Sequence, residues 1–203
     1  VTNPPIDPFR EKVVMSLQCP VGPEANILEP SARQVHRLWL QHPILSISDL
    51  EVLKLTNHRN WSSQVIDITY DAFEGPAGLK TRLEEICFES EKASKKNQIL
   101  ILSDRNAGEE RVPISSLLAL GAVHHHLIET RNRMKVALIV ESATPREVHH
   151  ICVLLGYGAD AICPYLALEL ASSLRDSGVL DSAFTDEIIF QNYAQAIQTG
   201  ISK

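Results

Sequence analysis

Continuous apolar runs alternate with amphipathic stretches along this chain from about residue 65 onward. Short apolar runs are typical of strands that are covered on both faces of a parallel sheet. They predict strands at Val65–Thr69, Ile99–Leu102, Val136–Val140 and Ala161–Cys163. Apolar residues that recur every three or four positions predict the helices that follow these strands. The helices cover about Ala77–Lys95, Ile114–Arg131, Arg146–Leu155, Leu166–Leu174 and Thr185–Ile201.

The alternation of strand and helix predicts an α/β fold with mainly parallel strands and right-handed crossovers. Four βα units are half of a (β/α)₈ barrel, so we expect an incomplete barrel-like domain. The outer strands of such a sheet expose backbone groups, which the N-terminal segment, the last helix or another domain must cover. We expect residues 61–203 to form this βα-repeat domain and residues 1–60 to form an irregular extension packed on it, in one structural unit.

The extension is rich in proline and lacks a regular apolar period. Asp7 followed by Pro8 predicts a helix start, because Asp caps a helix and Pro fits its first position. From Val21 to Pro43 we expect loops with little regular structure. Ser48 is predicted to cap the short helix of sequence DLEVLKL.

Composition narrows the class of protein. Of 203 residues, 44% are hydrophobic and 22% are charged, as in ordinary globular domains. A net charge of −6 excludes a general nucleic-acid binder, which needs a basic face. No apolar run approaches the ~20 residues that cross a bilayer, and the N-terminus lacks the pattern of a secretory signal. Four scattered cysteines without a CxxC pair predict reduced thiols in a cytoplasm-like compartment.

Polar residues stand at the carboxyl ends of the predicted strands, where ligand sites of α/β proteins gather. These residues are Ser103, Asp104 and Arg105 after the second strand, Glu141 and Ser142 after the third, and Tyr165 after the fourth. No histidine lies near Ser103 in sequence to activate it. We interpret Asp104 and Arg105 as a buried ion pair that orients the loop, with acid–base catalysis as the alternative. Thr144, Pro145 and Glu147 match a capping box that starts the next helix.

Histidines form two groups on neighbouring predicted helices. His124, His125 and His126 are adjacent on one helix, and His149 and His150 on the next. Consecutive helical residues point about 100° apart, so neither group can hold one metal ion on a single helix face. We expect structural or hydrogen-bonding roles, with a metal held by one histidine of the first group and partners such as His149 or His150 as the alternative. Where the two helices pack side by side, we expect a polar seam against a partner domain.

A third motif, the segment GYGADA that starts at Gly156, has the glycines of a nucleotide loop. It precedes a strand, whereas a phosphate loop follows one. Gly156 is therefore interpreted as the left-handed end of a helix.

Eight blocks of the sequence together resemble the central domain of glutamate synthase, which lies between the glutamine amidotransferase and FMN-binding domains of that enzyme. They occur in the family's order from Val1 to about Leu170. The blocks are VTNPPIDPFREKVVMSL, HPILS, VIDITY, GLKTRLEEICFESEKA, ILILSDR, PISSLLALGAVHHHLIE, VESATPREVHH and GYGADAICPYLALE. The most specific feature is VHHHL followed by REVHH and GYGADA.

The resemblance implies a connecting domain of an oxidoreductase, with a fold related to the FMN-binding barrel. In this family the amidotransferase domain hydrolyses glutamine with an N-terminal cysteine. Ammonia then travels inside the protein to a domain that binds FMN and an iron–sulfur cluster and converts 2-oxoglutarate to glutamate. None of those reaction residues maps onto this chain. The resemblance therefore implies no catalytic, cofactor-binding or metal-binding residue in this segment.

The partners that the resemblance implies are the two flanking domains of the same parent chain, with no nucleic acid and no membrane, in the cytoplasm or an organelle. We expect seven polar residues at the interfaces with these domains: His124, His125, His126, Glu141, Arg146, His149 and His150. The alternative hypothesis is an independent enzyme or small-molecule-binding α/β domain, in which Asp104, Glu141 and Tyr165 line a pocket at the strand carboxyl ends.

Overall fold

The computed structural model describes residues 15–203, so the helix start predicted at Asp7 and Pro8 lies outside the described residues. Eight strands and six α-helices are found in this part of the chain. The strands are β1 Cys19–Val21, β2 Leu38–Leu40, β3 Ser63–Asp67, β4 Thr69–Asp71, β5 Ile99–Ser103, β6 Arg111–Pro113, β7 Ala137–Glu141 and β8 Ala161–Cys163. The helices are α1 Ile47–Lys54, α2 Gly75–Ser94, α3 Ser116–Glu129, α4 Val148–Gly156, α5 Tyr165–Asp176 and α6 Asp186–Ile201.

Four strands form one parallel sheet in the order β3-β5-β7-β8. In this sheet Ile101 lies opposite Val65 on one side and Ile139 on the other. The helices α2, α3 and α4 connect successive strands. The sheet consists of the four predicted strands, which confirms the α/β class and the parallel pairing. The barrel-like closure stays a prediction.

A short antiparallel pair, β4 with β6, lies beside the parallel sheet and is not predicted by the apolar pattern. The carboxylate of Asp67 accepts hydrogen bonds from the backbone N–H and the hydroxyl of Thr69, at 2.8 and 2.7 Å. These bonds turn the chain out of β3 at Asp67. The strand therefore ends two residues before the predicted boundary at Thr69.

Both faces of the parallel sheet are buried at β5, β7 and β8. One face packs against α2, α3 and α4 through Leu100, Leu102, Leu138, Val140 and Ile162. The other face presents Ile99, Ile101, Ile139, Ala161 and Cys163. Four residues of the N-terminal segment cover that second face: Val21, Leu45, Leu50 and Leu53. The segment is thus part of the hydrophobic core.

The N-terminal segment also covers the β8 edge of the sheet. Ile162 donates its N–H to the carbonyl of Pro43, and Leu45 donates to the carbonyl of Ile162, both at 2.8 Å. Ile44 and Ile162 form a parallel β-bridge. The predicted covering of an outer strand by the N-terminal segment is therefore confirmed at β8. At the opposite edge, Val65 of β3 is 45% exposed.

The segment from Val21 to Pro43 is more regular than predicted, because β1 pairs antiparallel with β2. Arg37, which lies just before β2, holds the β1–β2 pair together. Its guanidinium donates to the carbonyls of Pro20 and Gly22 and forms an ion pair with Glu24 at 3.0 Å. The sequence pattern did not predict this pair, because the long-range contacts of a single arginine produce no periodicity in the sequence.

Helix α1 begins at Ile47, and its cap is Ser46 rather than the predicted Ser48. The Ser46 hydroxyl accepts the N–H of Asp49 at 3.0 Å, and the Asp49 carboxylate accepts the N–H of Ser46 at 3.4 Å. This reciprocal capping box, which the earlier serine alone can form with Asp49, places the start of the helix.

We expect Ser46→Ala to lower the free energy of unfolding by about 1 kcal/mol, the usual cost of losing a helix cap. Ser48→Ala is the matched control and should change it by less than about 0.5 kcal/mol, as at other surface sites. Urea denaturation of the three proteins measures both values. Equal effects of the two substitutions would contradict the assignment of the cap.

Helix α4 begins at Val148 with Glu147 as its cap residue, so the predicted capping box at Thr144 is wrong. The Thr144 hydroxyl lies 3.0 Å from the hydroxyls of both Ser116 and Ser142, and these contacts hold it away from the helix. The interpretation of Gly156 is right for the helix end and wrong for the backbone conformation. Gly156 is the last residue of α4, but the residue with positive φ is Gly158, at 105°.

Candidate functional site

The carboxyl end of the parallel sheet carries a buried ionic network centred on Glu141, which is 1% exposed. Lys54 of α1 donates to one carboxylate oxygen at 3.0 Å, and the Ser103 hydroxyl donates to the other at 2.7 Å. Lys54 also donates to Glu51 at 2.8 Å. Partial burial lowers the pKa of Lys54, but the hydrogen bonds with Glu51 and Glu141 outweigh it, and the net pKa is raised. The network fastens α1 to β7.

Asp104 holds the loop after β7 and is 1% exposed. Its carboxylate accepts the hydroxyl of Ser142 at 2.6 Å and the backbone N–H of Ala143 at 3.1 Å. The predicted Asp104–Arg105 pair is wrong, because Arg105 contacts a different element. The two loops that follow β5 and β7 are therefore joined by hydrogen bonds.

Arg105 connects the loop after β5 to helix α5. Its guanidinium lies 4.2 Å from the ring centroid of Tyr165, which is a cation–π distance. It also lies 2.7 Å from the Glu169 carboxylate. Burial, followed by the nearby Asp104 carboxylate, raises the pKa of Tyr165. Tyr165 is thus a neutral packing residue at neutral pH.

Cys163 ends β8 and is fully buried. Burial and, to a lesser extent, the negative charge of Glu141 raise the pKa of its thiol to about 12. Because the thiolate is the nucleophilic form of cysteine, this protonated thiol is unsuited to covalent catalysis.

The thiol of Cys163 predicts a loss of stability at alkaline pH. The unfolded chain releases its proton above pH 9, whereas the folded chain keeps it up to about pH 12. We expect the free energy of unfolding of the native protein to fall relative to Cys163→Ala by about 2 kcal/mol between about pH 8 and about pH 10.5. Urea denaturation of both proteins measures the difference, and parallel pH profiles would contradict it.

The structure brings Asp104, Glu141 and Tyr165 to one end of the sheet, as the small-molecule alternative requires. All three are buried, with 8% exposure at most. Glu141 bonds to Lys54 and Ser103, Asp104 bonds to the 142–143 loop, and the Tyr165 ring packs against the Arg105 guanidinium. This arrangement positions loops and helices, and it leaves the three groups closed to solvent.

The described part of the chain offers no set of side chains for a metal ion or a cluster. Within residues 15–203, no group of three or more His, Cys, Asp or Glu side chains is placed to hold a metal ion. The four cysteines lie on four separate elements, β1, α2, α4 and β8. They therefore do not fit an iron–sulfur cluster, which needs several thiolates around one centre.

His124 has a structural role within the chain. Its Nδ1 accepts the Nε–H of Arg133 at 3.1 Å, and Arg133 also bonds to the Gly158 carbonyl and to Asp160 at 3.0 Å. Burial and the nearby Arg133 charge lower the pKa of His124, so that the ring is a neutral acceptor. This cluster joins the ends of α3 and α4 to the sheet.

His126 and His125 differ in their surroundings. His126 lies 3.1 Å from the Glu91 carboxylate of α2, and its ring packs edge-on against Phe88. Its hydrogen bond is the main cause that lowers the pKa of Glu91. His125 is exposed beside His124.

His149 and His150 lie at the beginning of α4, far along the helix pair from His124, which contacts Gly158 beyond the end of α4. The two histidine groups therefore do not form one continuous seam. His149 and His150 line a groove of about 290 Å³ with Ser115 and Ser116. Nearby, the Arg146 carbonyl accepts the hydroxyl of Tyr193 from α6, and the Arg146 side chain is exposed.

Lys54, Arg133 and Glu169 carry roles that the sequence pattern does not single out. One sequence feature does indicate that Glu141 needs a partner. Glu141 stands at the end of an apolar strand, and a buried carboxylate requires a cation or hydrogen-bond donors. The pattern does not identify which cation, because Lys54 lies 87 positions away.

None of the helices in residues 15–203 has the length and the hydropathy of a membrane span.

Comparison with known proteins places this chain in a family. The profile of the family described as "Glutamate synthase central domain" matches residues 1–203. The chain is 46% identical over 206 residues to glutamate synthase [NADH] of Schizosaccharomyces pombe. It is 41% identical to the glutamate synthase [NADPH] large chain of Bacillus subtilis and 39% identical to ferredoxin-dependent glutamate synthase 2, chloroplastic, of Arabidopsis thaliana.

Each of these three alignments covers the whole of this chain. The chain spans only 10%, 13% and 13% of the length of the respective relatives. The match therefore concerns one segment of much longer proteins. On the family match and these identities, the chain belongs to the glutamate synthase central domain family.

Proposed function

We propose that this chain connects the glutamine amidotransferase and FMN-binding domains of a glutamate synthase and helps to enclose the ammonia route between them. The parent enzyme would form glutamate from glutamine and 2-oxoglutarate. FMN and an iron–sulfur cluster would belong to the next domain of that enzyme, as the resemblance implies. Residues 1–60 would act as an extension packed on the 61–203 domain.

One observation carries this proposal: the charged side chains at the carboxyl end of the sheet bond to other groups of the same chain. Glu141 is paired with Lys54, Asp104 with the 142–143 loop, and Arg105 with Glu169. A reaction centre needs polar groups that are free to meet a substrate. Here those groups bond to helices and loops of the chain itself and hold them in place, as we expect of a connecting domain.

A rigid wall is also what ammonia transfer requires. Ammonia reacts as a neutral nucleophile, and protonation in water removes its reactive lone pair. A neighbouring domain therefore contributes by excluding water and by keeping its shape when the other domains move. The buried network gives this domain such rigidity.

Among the seven interface candidates, four side chains are exposed: His125, Arg146, His149 and His150. We propose these four as direct contacts with the flanking domains. His124, His126 and Glu141 would support that surface from within, through Arg133, Glu91 and Lys54.

Arg146→Glu in the full glutamate synthase polypeptide tests this function. We expect the reversed charge to weaken the domain contact, so that a larger fraction of the ammonia from glutamine escapes into solution. Lys92→Glu, an exposed charge reversal on α2, is the matched control. The measurement is free ammonia per glutamine hydrolysed. Unchanged release in Arg146→Glu, and in glutamate variants of the three exposed histidines, would contradict the proposal.

A further inference from the structure

A groove of about 850 Å³ lies between the beginning of α1 and the helices α5 and α6. Its floor is apolar and includes Ile47, Leu168, Ile189 and Phe190. Leu168 and Ile189 are 6% and 8% exposed. The volume is in the range of clefts that bind ligands or peptide side chains.

The rim of this groove is acidic. Its lining includes Asp49, Glu169, Asp176, Asp186 and Glu187, and it includes no lysine or arginine. Arg105 and Arg175 lie behind the rim and pair with three of these groups. Five carboxylates less two guanidinium groups leave an excess of three negative charges. The groove therefore favours a partner that carries positive charge.

An exposed leucine stripe adjoins the groove on α5. Leu166, Leu170 and Leu174 recur every four residues and are 37%, 52% and 38% exposed. Glu169 and Ser173, which line the groove, lie beside this stripe on the same helix. Residues four apart lie on one face of a helix, so the stripe offers a continuous apolar surface. A partner in the groove would cover it as well.

A second copy of this chain does not fit this surface. A symmetric contact through the groove would place two acidic rims against each other, and like charges at an interface are unfavourable. The chain as a whole carries a net charge of −6, which adds to the repulsion. The fitting partner presents lysine or arginine around apolar side chains.

We propose that this groove, with the adjoining leucine stripe, docks a basic and apolar segment of the same glutamate synthase polypeptide, outside residues 1–203. The inference rests on the proposed function, in which this chain is one domain of a longer protein. The relatives agree, because 87–90% of their length lies outside the matched segment. Segments linked in one chain meet at a high effective concentration, which favours such a partner over a separate molecule.

Carboxyl labelling of the full polypeptide with a carbodiimide and glycine ethyl ester tests the docking. The side chain of Asp176 is 67% exposed in this chain and Glu187 is also exposed, so their protection would report a covering segment. We expect Asp176 and Glu187 to react about tenfold more slowly than the exposed control Glu109, the ratio for a contact that opens at a cost of about 1.4 kcal/mol. Rates within about twofold of Glu109 would overturn the proposal.

Zero-length cross-linking identifies the partner in a mixture of ¹⁴N- and ¹⁵N-labelled enzyme. We expect Asp176 or Glu187 to be joined to a lysine outside residues 1–203, with both peptides carrying the same isotope. Cross-linked peptides of mixed isotope would mean a second molecule and would overturn the proposal. Protection without a cross-link would support an arginine-bearing partner, since arginine does not form this bond.

Leu170→Asp tests the stripe in the same experiment. We expect it to raise the labelling of Asp176 and Glu187 about tenfold, whereas Ile128→Asp, at a position 49% exposed on α3, leaves the labelling unchanged. Leu170→Asn repeats the test without a new charge if the aspartate variant folds poorly. Equal effects of the two positions would overturn the role of the stripe. The proposed function fails separately, if Arg146→Glu and the glutamate variants of the three exposed histidines all leave ammonia release unchanged.

Discussion

Replacing Lys54 with methionine is expected to lower the free energy of unfolding by about 3 kcal/mol, the low end for breaking a buried ion pair. Glu141 would keep its hydrogen bond from Ser103 but lose the cation that lies 3.0 Å from it. The carboxylate is 1% exposed and gains little compensation from water. Urea denaturation at neutral pH measures the change.

A double substitution separates the ion pair from other effects of Lys54. Lys54→Met with Glu141→Leu removes both charges, and it should recover most of the lost stability because no unpaired carboxylate remains buried. Lys92→Met removes an exposed lysine of α2 and should have little effect. A double variant as unstable as Lys54→Met would contradict the pairing of Lys54 with Glu141.

Gly158→Ala is expected to cost about 3 kcal/mol, from left-handed backbone strain of about 1–2 kcal/mol and the loss of a hydrogen bond of about 1 kcal/mol. Gly158 has φ of 105°, and an added Cβ would lie 2.2 Å from His124 Nδ1. The His124 ring is held by Arg133 and cannot yield without breaking that bond. Thermal or urea denaturation measures the loss.

Gly156→Ala is the matched control for this prediction. Gly156 lies in the last turn of α4, and an added Cβ meets nothing within 4 Å. Alanine should therefore stabilise the helix by up to about 1 kcal/mol. If Gly156→Ala proved the more damaging change, the assignment of the left-handed position to Gly158 would be wrong.

The apolar pattern was enough to predict the parallel sheet. Three of its strands, β5, β7 and β8, are runs of residues buried on both faces, and Ala161–Cys163 agrees with the prediction at both ends. The structure departs from the predicted element boundaries where a single polar side chain determines where a strand ends or a helix begins. Asp67 turns the chain out of β3, and Thr144 bonds to Ser116 instead of capping α4. Such choices depend on tertiary partners that a local pattern does not contain.

The candidate site was predicted less completely than the fold. The position of Glu141 and Asp104 at one end of the sheet follows from parallel pairing, because parallel strands end on the same side. Their partners do not follow from it. Lys54, the partner of Glu141, belongs to the N-terminal segment. Arg105 forms its ion pair with Glu169 and not with the adjacent Asp104. Both contacts depend on how separate elements pack.

We propose that this domain connects other domains and holds no reaction centre of its own. The direct measurement is glutamate formation by purified residues 1–203 supplied with glutamine, 2-oxoglutarate and an electron donor. We expect the chain to release no ammonia and to form no glutamate above a blank without protein. Sustained glutamate formation by this chain would contradict the claim.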